Sequence, residues 1–167
     1  MTLILRLIQG AGKTSTVLED AFLVVGYMAT GIFGPLSSTE LAADQFYAAL
    51  EQNFSPYMQA FLPMLYPALK AHEYTQLCTI AVGIIGDISR ALGETSAQYS
   101  DAFMNVLLEN LQSEVLSRSV KIPILSCFGD IALAIGPSFE PYLETTMTVL
   151  QQAGSLQANS VSISYTV

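Results

Sequence analysis

A repeat constrains this chain more than any other feature. Gly86-Asp87-Ile88 followed by Ala91-Leu92-Gly93 returns as Gly129-Asp130-Ile131 followed by Ala134-Ile135-Gly136, every matched position lying 43 residues further on. A second series keeps the same period. Phe54-Ser55-Pro56-Tyr57, Ala97-Gln98-Tyr99 and Phe139-Glu140-Pro141-Tyr142 each open an amphipathic segment, with tyrosines 42 and 43 residues apart. Two independent features on one period describe stacked copies of one supersecondary unit, which buries its apolar face only against its neighbours.

Within a unit the apolar side chains recur at helical steps, Phe61, Leu62, Leu65 and Leu69 in one and Phe103, Val106, Leu107 and Leu111 in the next, without strand alternation. The breaks fall at Lys70 to Glu73, Gly93-Glu94-Thr95, Gln112 to Glu114 and Gly136-Pro137-Ser138. Glycine suits a helix C-terminus and Ser or Thr the next N-cap, so Thr95 and Ser138 are the cap candidates. A hairpin of two helices repeating every 40 to 47 residues or so is the layout of HEAT and armadillo arrays. The expected fold is therefore all-α, a HEAT-repeat superhelix or solenoid, as a truncated array of about three to four helical hairpins. It reads as a partial repeat at 1–33 (Thr2 to Gln9 with Thr16 to Ile32), a connecting loop with a short helix at 34–52, and a repeat at 53–93. A second repeat follows at 94–136, then the first helix of a further repeat at 137–154 and an irregular tail at 155–167. Pro63, Pro67 and Pro123 fall inside predicted helices, where kinks or late starts are expected.

The composition is 51% hydrophobic and only 12% charged, against a usual charged share of about 25%, so much of the surface must be covered by something. A formal charge of −8 argues against a phosphate-binding surface and for basic or neutral partners, with no direct nucleic acid contact. Lys70, Arg90, Arg118 and Lys121 are too sparse for a nucleic-acid stripe and read as solvated ends and turns. Cys78 and Cys127 sit in apolar helical stretches outside any C-x-x-C motif and read as buried thiols of an intracellular protein. His72, the single histidine, reads as exposed at a helix junction, and one histidine suits neither a His-rich metal site nor a choice of catalytic bases. No secretory cleavage site follows the apolar Met1 to Ile8 segment. The uncharged run from Ala21 to Thr39 is diluted by Gly26, Gly31, Gly34, Pro35 and a polar end, and reads as buried solenoid helix without membrane insertion.

Gly10-Ala11-Gly12-Lys13-Thr14-Ser15 ends like a phosphate-binding loop, but Leu7 stands where the first glycine of that loop is needed. It reads as an interhelical loop, so neither a catalytic site nor a cofactor is implied. Asp87 and Asp130 are repeat equivalents, and equivalents form a ladder along one surface rather than an acid–base pair in two contrasting environments. Tyr57, Tyr99 and Tyr142 are first of all what packing one repeat on the next requires.

Asn105-Val106-Leu107-Leu108-Glu109-Asn110-Leu111, Arg118-Ser119-Val120-Lys121 and Ile124-Leu125-Ser126-Cys127-Phe128-Gly129-Asp130 through Gly136 carry a more specific likeness. So do Tyr142-Leu143-Glu144, Val149 to Ala153, Tyr57 to Lys70, and Val82 to Asp87 with Ala91-Leu92. These stretches resemble the middle-to-late HEAT repeats of the importin-β (karyopherin-β) nuclear transport receptors. The region 34–53 is longer than the family's usual connection, and Ser155 to Val167 departs from its acidic helical continuation. The resemblance implies a segment of a nuclear import receptor without a catalytic site, working in cytoplasm and nucleus and at the nuclear pore. The implied partners are the basic segment of importin-α or basic cargo signals on the concave surface, Ran-GTP, and FG-nucleoporins on the convex surface. Glu19, Asp20, Asp87 and Asp130 on second helices are the candidates for the basic partner. Phe54, Leu69, Phe103 and Phe139 on first helices are the candidates for FG docking. The competing reading is a HEAT-repeat scaffold or adaptor unrelated to nuclear transport, from which ligand identity separates it.

Overall fold

The computed structural model describes residues 2–12, 16–30 and 55–163. Among them are seven α-helices: α1 Thr2–Gly10, α2 Thr16–Thr30, α3 Met58–Leu69, α4 Thr75–Leu92, α5 Ala97–Gln112, α6 Arg118–Ile135 and α7 Glu140–Ile163. Three 3-10 turns, Ser55–Tyr57, Gly93–Ser96 and Gly136–Phe139, lead into α3, α5 and α7. The described residues contain no strand. The Lys13 loop and the connection at 34–52, with its expected short helix, lie outside the described residues.

Repeat and fold meet at two glycines. Gly93 and Gly136 end α4 and α6 with φ of 52° and 53° and ψ of −135° and −127°, backbone geometry that a Cβ would obstruct. Each lets the chain turn at once into a 3-10 segment and the next first helix, which is why Gly recurs there. Thr95 and Ser138 lie inside these turns rather than at N-caps, and Thr95 Oγ1 instead donates to the Leu92 carbonyl at 2.6 Å. The side-chain N-cap is Ser117, which accepts from the Ser119 backbone N–H at the start of α6. The last helix also differs from expectation. It continues to Ile163, through most of the stretch read as an irregular tail. Gly154 alone costs a helix about 1 kcal/mol, and the Leu, Gln and Ala that follow are good helix formers. In α3, Pro63 and Pro67 stand on the exposed side, where carbonyls deprived of a helical partner can meet solvent.

The three second helices lie side by side, α4 packing against both α2 and α6, whereas the first helices α3 and α5 touch only sparsely. Closer packing on one side bends the array toward that side, so α2, α4 and α6 form the inner face and α1, α3, α5 and α7 the outer one. One core runs between the layers. Phe22, Phe61, Ile85, Ile88, Phe103, Leu107, Phe128 and Ile131 are fully buried, and Phe22 meets Phe61 across two units with ring centroids 5.6 Å apart. Two stretches, Thr75–Gln112 and Arg118–Gln152, are apolar enough by composition to cross a membrane. Each is broken by a 3-10 turn, and their buried side chains fill this core.

Candidate partner-binding surfaces

On the inner face Asp87 and Asp130 do come together, as the repeat predicts. Arg90 lies between them, one guanidinium nitrogen 2.5 Å from Asp87 Oδ1 and the other 2.5 Å from Asp130 Oδ1. The side chains are 27% exposed for each aspartate and 48% for the arginine, so the group is half-sunk in the wall of the inner face. Burial raises the Asp87 carboxyl above its ordinary range, outweighing the attraction of Arg90. Burial alone would lower Arg90, but hydrogen bonding and attraction from Asp130 and Asp87 outweigh it and raise the guanidinium. Arg90 is thus no solvated helix end. Sequence reasoning missed it because its repeat equivalent is Leu133, and only the packed distance between α4 and α6 makes one cation serve two units.

Glu19 and Asp20 occupy other rows of the inner face. In register with Gly26, Gly86 and Gly129, Asp20 is equivalent to Ile80 and Pro123, Glu19 to Thr79 and Ile122, and the Asp87 row holds Tyr27 in α2. Glu19 is half-buried and Asp20 exposed near the start of α2. The four carboxylates therefore form a pair bridged by Arg90 and a separate pair on α2.

The outer face departs further from expectation. Leu69 and Phe103 are completely buried and Phe139 is 7% exposed, so all three belong to the core rather than to a docking surface. Their i, i+3, i+4 spacing gives the face of the helix but not its direction, and the apolar face points inward. Phe54 lies outside the described residues. What the outer side offers instead is a cleft of about 230 Å³ between α1–α2 and α3–α4, lined by Ile8, Ala11, Leu18, Phe22, Pro63, Met64, Pro67, Ala68 and Leu77. Pro63 and Pro67, inside the unbroken α3, form one wall of it. A proline pair on an exposed helix side was the available sequence signal.

Polar contacts also join the turns. His72, expected exposed, is half-buried: its Nε2 meets Asn110 Oδ1 at 2.9 Å and its Nδ1 meets Ser113 Oγ at 3.2 Å. Asn110, fully buried, donates through Nδ2 to the Leu69 carbonyl at 3.0 Å. That bond fixes Oδ1 as the acceptor, so His72 donates from Nε2. Lys70 pairs with Glu109 at 3.0 Å between the same two units. Burial raises the Cys78 thiol to about 11, and that of Cys127 further still, so both are held as thiols. Among the described residues no three His, Cys, Asp or Glu side chains cluster as metal ligands would.

Known proteins share this arrangement. The family described as importin subunit beta-1-like TPR repeats matches residues 40–166, and TPR and HEAT units are alike stacked helical hairpins. The chain is 44% identical over 158 residues to importin subunit beta-1 of Schizosaccharomyces pombe, spanning 95% of itself and 16% of that relative. It is 40% identical to importin subunit beta-1 of Arabidopsis thaliana, over 89% of itself and 15% of the relative. Among solved structures, importin beta crystallised in an ammonium sulfate condition superposes with a TM-score of 0.75 at 41% identity, covering 91% of this chain and 16% of that one. A Kap95:Nup1 complex superposes at 0.69 with 34% identity, and Kap95p bound to RanGDP at 0.67 with 32% identity; both cover 89% of this chain and 15% of the neighbour. The matched relatives are thus several times longer. A 43-residue helical hairpin repeat, an inner face of packed second helices and these likenesses agree, and the chain belongs to the importin-β family of HEAT-repeat nuclear transport receptors.

Proposed function

We propose that this chain is a binding segment of a nuclear import receptor, whose outer cleft takes phenylalanine side chains of FG-nucleoporins and whose inner face takes a basic segment of importin-α or a basic cargo signal. The outer cleft carries the reading. It is apolar, opens between adjacent units, and has room for one aromatic ring, the dimensions an isolated Phe in a disordered polar segment needs for weak, repeated docking. The solved Kap95:Nup1 complex supports a nucleoporin contact in this family, and the Kap95p–RanGDP complex supports Ran as a further partner of the whole receptor. The formal charge of −8 supports attraction of a basic partner to the inner face, with Glu19 and Asp20 adding to the charge that Asp87 and Asp130 keep beyond Arg90. Such a segment carries no chemistry of its own and works where import receptors work, in cytoplasm, nucleus and pore.

The test is a fluorescence titration of the chain with an FG-repeat peptide and with the same peptide carrying Phe→Ser changes. Saturable binding of the first alone, weakened several-fold or more by Met64→Glu at the cleft wall, is the expected result. Equal binding of both peptides, or indifference to Met64→Glu, would remove the cleft from the account and leave a HEAT scaffold with other partners.

A further inference from the structure

Each aspartate of the inner-face group is engaged on two sides. Asp87 gives one oxygen to Arg90, and its other oxygen lies against Gly26 of α2, where a Cβ would stand 2.9 Å from it. Asp130 repeats the pattern, with Oδ1 on Arg90 and Oδ2 only 2.6 Å from where a Cβ on Gly86 would stand. Asp87 therefore packs closely against α2 and Asp130 against α4, and the ion pair of Arg90 with Asp130 ties α6 to α4.

Gly129 is the internal control. It is the repeat equivalent of Gly86, yet it is exposed with nothing within 4 Å, so the glycine–carboxylate contact belongs to a seam between two second helices and not to the helix itself. Only one cation is present in the row, because the position of Arg90 is Thr30 in α2 and Leu133 in α6. The group keeps one net negative charge and stays open enough to solvent for a competing cation to reach it.

We propose that Asp87, Arg90 and Asp130 form an electrostatic latch that sets the splay of the second helices, and hence the curvature of the inner face. A basic segment binding that face loosens the latch by taking a carboxylate from Arg90. A forked guanidinium is suited to this role because it holds two carboxylates at fixed separation, where an ammonium offers a single point of charge. In a repeat array each seam touches only its neighbours, so a small change of splay at one of them displaces everything beyond it. The release step rests on the basic-partner reading above; the latch does not.

Spin labels at Leu23→Cys and Ser126→Cys, exposed repeat equivalents on α2 and α6, report the splay by pulsed electron resonance, while the buried Cys78 and Cys127 remain unlabelled. The latch predicts a narrow distance distribution in the parent, a longer and broader one in Arg90→Met, and an intermediate one in Arg90→Lys. A lower melting temperature with an unchanged distribution in Arg90→Met would make the group mere packing and overturn the latch. Adding an octa-arginine peptide to the labelled parent is expected to move the distribution toward that of Arg90→Met. Saturable binding of the peptide without such movement would overturn the release step. Absence of binding would remove that step together with the basic-partner reading, leaving the latch to be judged by Arg90→Met.

Discussion

At the scale of single residues, Asp87 is the group whose environment is most readily tested. Its folded pKa is raised, mainly by burial, above that of the unfolded chain. The sign follows directly. The native state binds this proton more readily than the unfolded state does, so the contribution of Asp87 to stability grows as pH falls through its folded pKa and is complete below its unfolded value. Compared with Asp87→Asn across a series from neutral to mildly acidic pH, the parent should gain stability relative to the variant as pH falls, read from urea unfolding midpoints at each pH. A difference that grew with rising pH would mean that Arg90 and not burial dominates this carboxyl, and a flat one that the two cancel. The sequence made Asp87 and Asp130 visible, because repetition exposes equivalents. It could not make Arg90 visible, because the residue breaks the repeat that it stabilises.

At the scale of elements, second helix on second helix is the contact that shapes the molecule, and glycine sets how close it is. Gly86 and Gly83 stand one helical turn apart on α4, but Gly86 is buried under Asp130 while Gly83 faces open space. Gly86→Ala should cost about 1–3 kcal/mol through the clash with Asp130, as overpacking does. Gly83→Ala should be neutral or stabilise by up to about 1 kcal/mol, from helix propensity alone. Chemical unfolding of the two variants decides the matter, and equal effects would place the α4–α6 seam elsewhere. Periodicity in the sequence located these helices and most of their ends to within a few residues. It misplaced the caps, because the 3-10 turns after Gly93 and Gly136 absorb Thr95 and Ser138 before the first helices begin. The expected end of α7 is also too early, because the irregular tail from Ser155 rests on a departure from the family's acidic helical continuation and not on a helix-breaking pattern.

At the scale of the whole molecule, the array leaves apolar side chains at its end. Leu133 is 84% exposed and Ile122 61% on α6, Leu143 and Met147 are about half exposed on α7, and Gly129 in the same face of α6 as Leu133 has nothing against it. On α4 the equivalent of Gly129, Gly86, is buried under Asp130 of α6. A repeat unit without a neighbour keeps its stacking surface bare, and a bare surface of this kind promotes association. The chain by itself should therefore sediment with a concentration-dependent mass at low micromolar to millimolar concentration, and Leu133→Glu should reduce that dependence. A strictly monomeric parent across the range would show that the face is too small or too dispersed to associate.

The sequence by itself determined the period, the helical class, the likeness to importin-β, and the presence of Asp87 and Asp130 in one row. These are properties of spacing, and a fixed repeat writes spacing directly into the chain. The tertiary structure alone decided direction and distance. It turned Leu69, Phe103 and Phe139 inward, because an apolar helical face goes to whichever side removes it from water. It drew His72 into a bond with Asn110, and it added Asp130 to the Asp87 that Arg90 already meets three residues away on α4, because His72–Asn110 and Arg90–Asp130 lie about one repeat apart in sequence and meet only when units stack. Which residues face a partner depends on curvature, and curvature is a property of seams between units that no single unit encodes.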